Sequence, residues 1–142
     1  MIVIIFSVIL VIVFYFLSLI HFNWALGGQW GFNESLPTNL EGKRILNPKK
    51  RESFIVATGL LFFGCFYFLK LELISFTTDE TIFKYLGWII PAIFLLRAIG
   101  EFKYVGFFRK VRSTPFAKKD QQLFTPLCLV VAIIGLVIQF QY

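Results

Sequence analysis

The distribution of charge along the chain divides its 142 residues into four uncharged stretches and the charged segments between them. The uncharged stretches cover residues 1–33, 53–69, 85–96 and 121–142. An α-helix rises about 1.5 Å per residue, so a bilayer core of about 30 Å is crossed by about 20 apolar residues. Three stretches approach or exceed that length, whereas the third would span only about 18 Å. Four spans are therefore predicted, and the third must take in Lys84, Arg97 or both.

Composition supports the membrane class. Hydrophobic residues make up 58% of the chain and charged residues only 15%, and nineteen residues are Phe. A soluble domain of this size has too little polar surface to cover so much apolar volume. We predict an all-α fold, a transmembrane four-helix bundle that forms a single integral membrane domain over residues 1–142. The predicted spans are residues 2–21, 53–74, 82–100 and 125–140.

Residues near the predicted helix ends give local signals. Ser53 and Thr125 are suited to cap the second and fourth spans, because a hydroxyl oxygen can accept a hydrogen bond from a free helical N–H. Pro91 lies within the third span and should bend it, because proline removes one backbone donor. The bend could serve helix packing or act as a hinge.

The loops predict the orientation. The first loop, residues 22–52, contains five Lys or Arg residues, and the third loop, residues 101–122, contains six. The second loop has two basic residues at its edges and leans acidic. Because basic loops remain in the cytoplasm, loops one and three are predicted inside and both termini outside. The same rule accounts for the formal net charge of +6, so no nucleic-acid partner is expected.

This orientation gathers polar side chains in the inner leaflet. Arg97 and Glu101 are four residues apart, so on one helix they share a face and can form an ion pair. Charges within a span usually face the bundle interior, which favours a polar site. Arg97 could instead extend its guanidinium to the interface, with Glu101 only marking the helix end. The candidate polar or ligand-binding cluster consists of His21, Trp24, Trp30, Arg97, Glu101 and Thr125.

Two segments beside the spans carry aromatic residues. Residues 23–32 join Trp24 and Trp30 through three glycines, which predicts either an interfacial aromatic belt or a folded cytoplasmic loop packed under the bundle. Residues 102–112 interleave bases and aromatics, which favours contact with anionic lipid over contact with another protein. The expected lipid-headgroup contacts are Lys103, Arg109, Lys110 and Arg112.

Redox and metal chemistry find little support in the sequence. Cys65 and Cys128 both lie in apolar stretches and form no Cys-x-x-Cys pair, so we interpret them as buried packing residues. His21 has no further ligands at a matching spacing, so no metal site is expected. No cofactor is expected either.

Two motifs carry a resemblance to a known family. The sequence HxxWALGGxWG begins at His21, and RAIGEFxYxGFF begins at Arg97, followed by TxFAxxD from Thr114 and TPLC from Thr125. As a set they resemble a bacterial family of small, uncharacterised four-span membrane proteins, known by a domain-of-unknown-function label. The resemblance implies an integral protein of the bacterial cytoplasmic (inner) membrane. It implies no reaction.

Three classes of function remain open. The first is a membrane protein that binds a lipid or small molecule, or associates with a partner, at the inner-leaflet cluster. The second is a component of a small transporter or channel, against which stands the lack of an ionisable residue in the cores of spans one and four. The third is a membrane enzyme acting on a lipophilic substrate. Membrane lipids with anionic headgroups are the expected partners, and a homodimer or another membrane protein is an alternative.

Overall fold

The computed structural model describes residues 1–72 and 79–141, which form five α-helices and no β-strand. The helices are α1 (Ile2–Ala25), α2 (Lys50–Leu69), α3 (Glu80–Ile99), α4 (Pro115–Lys119) and α5 (Thr125–Gln141). A π-helical turn, Asp120–Phe124, joins α4 to α5, so that Pro115–Gln141 runs as one continuous helix. This helix and α1, α2 and α3 are long and apolar enough to cross a membrane. The predicted all-α transmembrane four-helix bundle is confirmed.

The helix ends differ from the expected ones where local hydrogen bonds extend the helices. α2 begins at Lys50 because the Glu52 carboxylate accepts the Lys49 N–H at 2.9 Å, so Ser53 lies inside the first turn and is not the cap. α3 begins at Glu80, where the Asp79 carboxylate accepts the Thr81 N–H at 2.9 Å. α2 ends at Leu69, and residues 73 and 74 of the expected second span lie outside the described residues.

The helices pack as two antiparallel pairs, α1 with α2 and α3 with α5, and α1 also contacts α5. In the first pair the Ser18 hydroxyl donates to the Ala57 carbonyl at 2.7 Å across the helix interface. In the second pair Gly135 admits Pro91, whose Cγ lies 2.6 Å from the place a Cβ would occupy. Small residues allow such close approach between membrane helices. Pro91 is therefore part of a helix contact, with its ring buried against α5.

Aromatic rings hold the two pairs together. The Phe14 ring of α1 is fully buried, with ring centroids of Phe63 at 5.7 Å, Tyr67 at 5.8 Å and Phe94 at 5.3 Å. These separations fall in the range where aromatic pairs attract beyond simple burial. The Tyr67 hydroxyl in turn lies against Gly135 of α5. The core therefore links all four long helices.

The antiparallel packing brings both basic loops to one end of the bundle, where α1 and α3 end and α2 and α5 begin. We call this the basic end. The loops pack on each other there, since the 3₁₀ turn Asn33–Ser35 contacts α4. Leu36 from the first loop and Phe116 from α4 are both buried. Together the two loops cover the basic end and position the polar residues described next.

Candidate functional site

The basic end is built around a buried carboxylate, Asp120, which has no solvent exposure. Its Oδ1 accepts a hydrogen bond from Arg97 Nη2 at 2.9 Å, and its Oδ2 accepts from Arg109 Nη2 at 3.0 Å. Oδ2 also accepts the Gly106 N–H at 2.8 Å. Arg109 Nη2 donates in addition to the Thr125 hydroxyl at 3.2 Å. We call these five residues the Asp120 cluster.

The loop after α3 delivers the Gly106 donor by folding back over the helix end. Gly100 caps the helix with a φ of 82°, and the Phe107 N–H returns to donate to the Ala98 carbonyl at 2.9 Å. Gly106 has a φ of 88°, and its Cα lies within 2.7 Å of where a Gly100 Cβ would be. Only glycine permits both the left-handed backbone and this close approach. The Gly106 N–H is thereby aimed at Asp120.

The short helix α4 and the π turn place Asp120 itself. Thr114 caps α4 through its hydroxyl, which accepts the Ala117 N–H at 3.1 Å, and Pro115 takes the first helical position. Phe116 and Ala117 are buried, which fixes α4 against the bundle. Asp120 is the first residue of the π turn. Such turns within α-helices frequently occur at functional sites.

The expected Arg97–Glu101 ion pair is wrong. α3 ends at Ile99, so Glu101 is no longer one helical turn from Arg97 on the same face. The Glu101 carboxylate instead accepts the N–H groups of Tyr104 and Val105 and closes the turn that follows the helix. Among the described residues, Arg97 forms its ion pair with Asp120.

The structure does not bring the six expected cluster residues together in one site. Arg97 and Thr125 belong to the Asp120 cluster. His21 lies on the other helix pair, where its Nδ1–H donates to the Leu17 carbonyl at 2.8 Å and its ring centroid is 4.6 Å from that of Trp24. Within residues 1–72 and 79–141, no hydrogen bond or ion pair joins His21 to Arg97, Glu101 or Thr125.

Trp24, in the last turn of α1, and Trp30, in the loop after it, are joined by a hydrogen bond. Trp24 Nε1–H donates to the Trp30 carbonyl at 2.7 Å, and the Trp24 ring packs edge-on against Phe32 at 5.5 Å. Trp30 turns back along α1, with its ring 6.5 Å from that of Phe16 and 67% of the residue exposed. The segment is thus folded, and Trp30 lies on the outer face of α1, a position that suits an interfacial aromatic residue.

Arg109 does not fit its expected role as a lipid contact. Its side chain is only 2% exposed because it pairs with Asp120, so its guanidinium is not free to meet a headgroup. Lys103, Lys110 and Arg112 are exposed on the same loop. Arg112 lies on the same loop, and its Nε–H donates a hydrogen bond to the Arg109 carbonyl at 3.2 Å.

The Asp120 cluster holds two guanidinium groups and one carboxylate, which leaves it one positive charge in excess. Two donor atoms, Arg97 Nη1 and Arg109 Nε, are buried and have no partner in the part of the chain that the structure describes. The Arg97 side chain remains 34% exposed. Buried donors are normally satisfied, and arginine binds carboxylate and phosphate groups in particular. Arg97 is therefore the exposed side of a cluster that carries one unbalanced positive charge.

Asp120 was not among the residues that sequence reasoning assigned to the site. Asp120 lies between a short loop helix and an apolar span, so the hydrophobic periodicity of the sequence did not mark it. Two signals were present: Asp120 ends the TxFAxxD motif, and after Glu101 it is the single acidic residue, against six Lys or Arg. An isolated acid among bases at the start of a span is a strong candidate for a buried ion pair, because an unpaired charge there is costly.

Comparison with known proteins gives a family and no activity. A family model described as "Protein of unknown function (DUF3995)" matches residues 14–135. No curated protein and no solved structure matches the chain. The matched range contains the whole Asp120 cluster and both Trp24 and Trp30.

Proposed function

Since this chain belongs to the DUF3995 family of proteins of unknown function, we propose its role from the charges of the site. The protein binds anionic lipid at the basic end of its bundle, through the Arg97 side of the Asp120 cluster. The excess positive charge of this cluster is the observation that carries the proposal. Asp120 neutralises one guanidinium and leaves the other available to a negative group.

The surroundings of Arg97 support a lipid as the source of that group. Arg97 lies in the last turn of α3, at the end of a helix with the length and composition of a membrane span. Exposed basic residues Lys103, Lys110 and Arg112 follow on the adjoining loop. A basic residue near a membrane surface attracts anionic lipid by about 1 kcal/mol. The neighbouring bases would therefore concentrate anionic lipid around Arg97.

The proposal includes an orientation. The basic end faces the cytoplasm of a bacterial inner membrane, with both termini outside. Basic loops are retained on the cytoplasmic side, and anionic lipids of that leaflet attract them. This placement puts the Asp120 cluster at the depth of the inner-leaflet headgroups.

Lipid retention in native mass spectrometry provides the test. The purified chain is reconstituted with phosphatidylglycerol and phosphatidylcholine in equal amounts, and the ratio of the two lipids retained is measured. Arg97→Gln should lower the preference for phosphatidylglycerol about 5-fold, the equivalent of about 1 kcal/mol. Lys43→Gln serves as the control, because Lys43 is an exposed base in the first loop.

Asp120→Asn makes the test specific for charge. This substitution raises the excess charge of the cluster from one to two, so it should preserve or strengthen the preference for phosphatidylglycerol while weakening the fold. A purely structural cluster would behave differently, since both variants would then lose lipid in proportion to their loss of thermal stability. Equal losses in Arg97→Gln and Lys43→Gln would also overturn the proposal.

A further inference from the structure

A cavity lies at the basic end between the end of α1 and the beginning of α2, on the helix pair that does not carry the Asp120 cluster. Its volume is about 130 Å³. Its walls are formed by the residues that close α1, by Phe32 and by the first turn of α2. The cavity is open to solvent on one side and admits a group larger than one water molecule. A single phosphate or carboxylate fits within it.

The polar side of this cavity has a basic residue at its rim. Lys50 lies over Gly27, with its Nζ 3.3 Å from where a Gly27 Cβ would be. Gly27 has a φ of 96°, and the absence of a side chain there leaves space for the ammonium group. Lys50 forms no ion pair with any described residue. Glu52, on the same helical turn, has its carboxylate directed to the Lys49 N–H and does not line the cavity.

The hydroxyl of a mostly buried residue, Ser53, supplies the second polar group. Ser53 lines the cavity and is only 5% exposed. Its hydroxyl forms no hydrogen bond to another described residue, and its oxygen is not one of the fully buried polar atoms, so it is free to bind a group in the cavity. The cavity also lies at the N-terminus of the 20-residue helix α2, where the helix dipole favours negative charge. An ammonium, an unpaired hydroxyl and a helix N-terminus together favour an oxyanion.

We infer that this cavity binds one phosphate group, through Lys50 and Ser53. The indole of Trp24 and the ring of Phe32 form its apolar side. These rings would contact the carbon atoms that carry the phosphate. The group could belong to a phosphatidic acid headgroup or to phosphate in solution, and the two sources share the same chemistry. The cavity is separate from the Asp120 cluster, so this inference does not depend on the proposed function.

Two measurements on the full chain in phosphatidylcholine nanodiscs distinguish the sources. Broadening of the ³¹P signal of added inorganic phosphate reports soluble phosphate, and native mass spectrometry reports retained phosphatidic acid. Lys50→Ala and Ser53→Ala should each weaken binding about 10-fold in at least one of these measurements. Lys49→Ala is the matched control, because Lys49 is an exposed neighbour that does not line the cavity.

Each result has a defined meaning. A loss in Lys50→Ala and Ser53→Ala with retention in Lys49→Ala supports the site, and the measurement that shows it identifies the source. Equal losses in Lys49→Ala and Lys50→Ala would mean general electrostatic attraction and overturn the inference. Binding that is unchanged in Lys50→Ala and Ser53→Ala, or absent for both phosphate probes, would overturn it as well. In the Arg97→Gln background, Lys50→Ala and Ser53→Ala should still weaken binding about 10-fold, which separates this site from the Asp120 cluster.

Discussion

Asp120 is one carboxylate that accepts hydrogen bonds from α3, from the loop after it and from a second arginine of that loop. Its burial is tolerated because two positive charges and one backbone N–H compensate it. The two arginines depend in turn on the charge of Asp120. Without Asp120, Arg97 and Arg109 would face each other as like charges at the end of the bundle.

Removal of Asp120 should therefore destabilise the protein strongly. In Asp120→Ala, the free energy of unfolding should fall by about 3–5 kcal/mol, the usual cost of leaving a buried charge without its partner. Arg97→Ala should cost less, because Asp120 would keep two donors. SDS titration of the detergent-solubilised protein measures both losses. Glu41→Ala, in an exposed 3.9 Å ion pair, should change the value by no more than about 1 kcal/mol.

A double-mutant cycle identifies the true partner of Arg97. Arg97→Ala combined with Asp120→Ala should show a coupling free energy of about 0.5–3 kcal/mol, as expected for contacting residues. Arg97→Ala combined with Glu101→Ala should be additive to within about 0.5 kcal/mol. Coupling of Arg97 to Glu101 in place of Asp120 would contradict the structure of the cluster.

The contrast between these two acids shows what the sequence could reveal at the residue scale. The short third stretch predicted that Arg97 lies within a membrane span. A charge in a span usually needs a partner, so a partner was also predicted. The partner was not readable, because the i, i+4 rule assumes a helix that continues through Glu101. The helix ends at Ile99 instead, and a residue 23 positions away supplies the carboxylate. The burial of Arg109 was not predicted either, because it depends on the ion pair with Asp120.

At the scale of elements, the loop after α3 determines the geometry of the cluster. It caps the helix at Gly100, closes a turn on Glu101 and returns at Gly106 to meet Asp120. A Cβ on Gly106 would run into the Ile99 carbonyl oxygen, which is backbone and cannot move aside. The loop therefore depends on glycine for close contact as well as for its left-handed conformation.

Gly106→Ala tests that dependence. Gly42 provides the matched control: its φ of 81° resembles the 88° of Gly106, but no atom lies within 4 Å of where its Cβ would be. Gly42→Ala should cost about 1–2 kcal/mol for the left-handed backbone alone. Gly106→Ala should cost on the order of 1–3 kcal/mol more, from overpacking. Thermal unfolding in detergent measures the difference, and equal losses in the two variants would contradict the close contact.

At the scale of the whole molecule, the fold was largely readable from the sequence. Four apolar stretches separated by charged segments became four long helices, because a membrane span must satisfy its backbone internally. In no span is more than 33% of the most apolar segment buried inside the protein, so the remaining apolar surface suits contact with lipid. The pairing of α1 with α2 and of α3 with α5 was not readable, because it depends on contacts such as Pro91 against Gly135.

The last prediction concerns the orientation of the bundle. Reporter fusions after Gly42, Thr78, Ser113 and Tyr142 should read inside, outside, inside and outside, because five and six basic residues in the first and third loops outweigh the two beside the second. The structure places Gly42 and Ser113 at the same end of the bundle, so these two fusions must agree. Disagreement between them would refute the antiparallel bundle itself. Agreement on an outside reading would keep the bundle but reverse it, and the Asp120 cluster would then lose the cytoplasmic leaflet from which its anionic lipid is proposed to come.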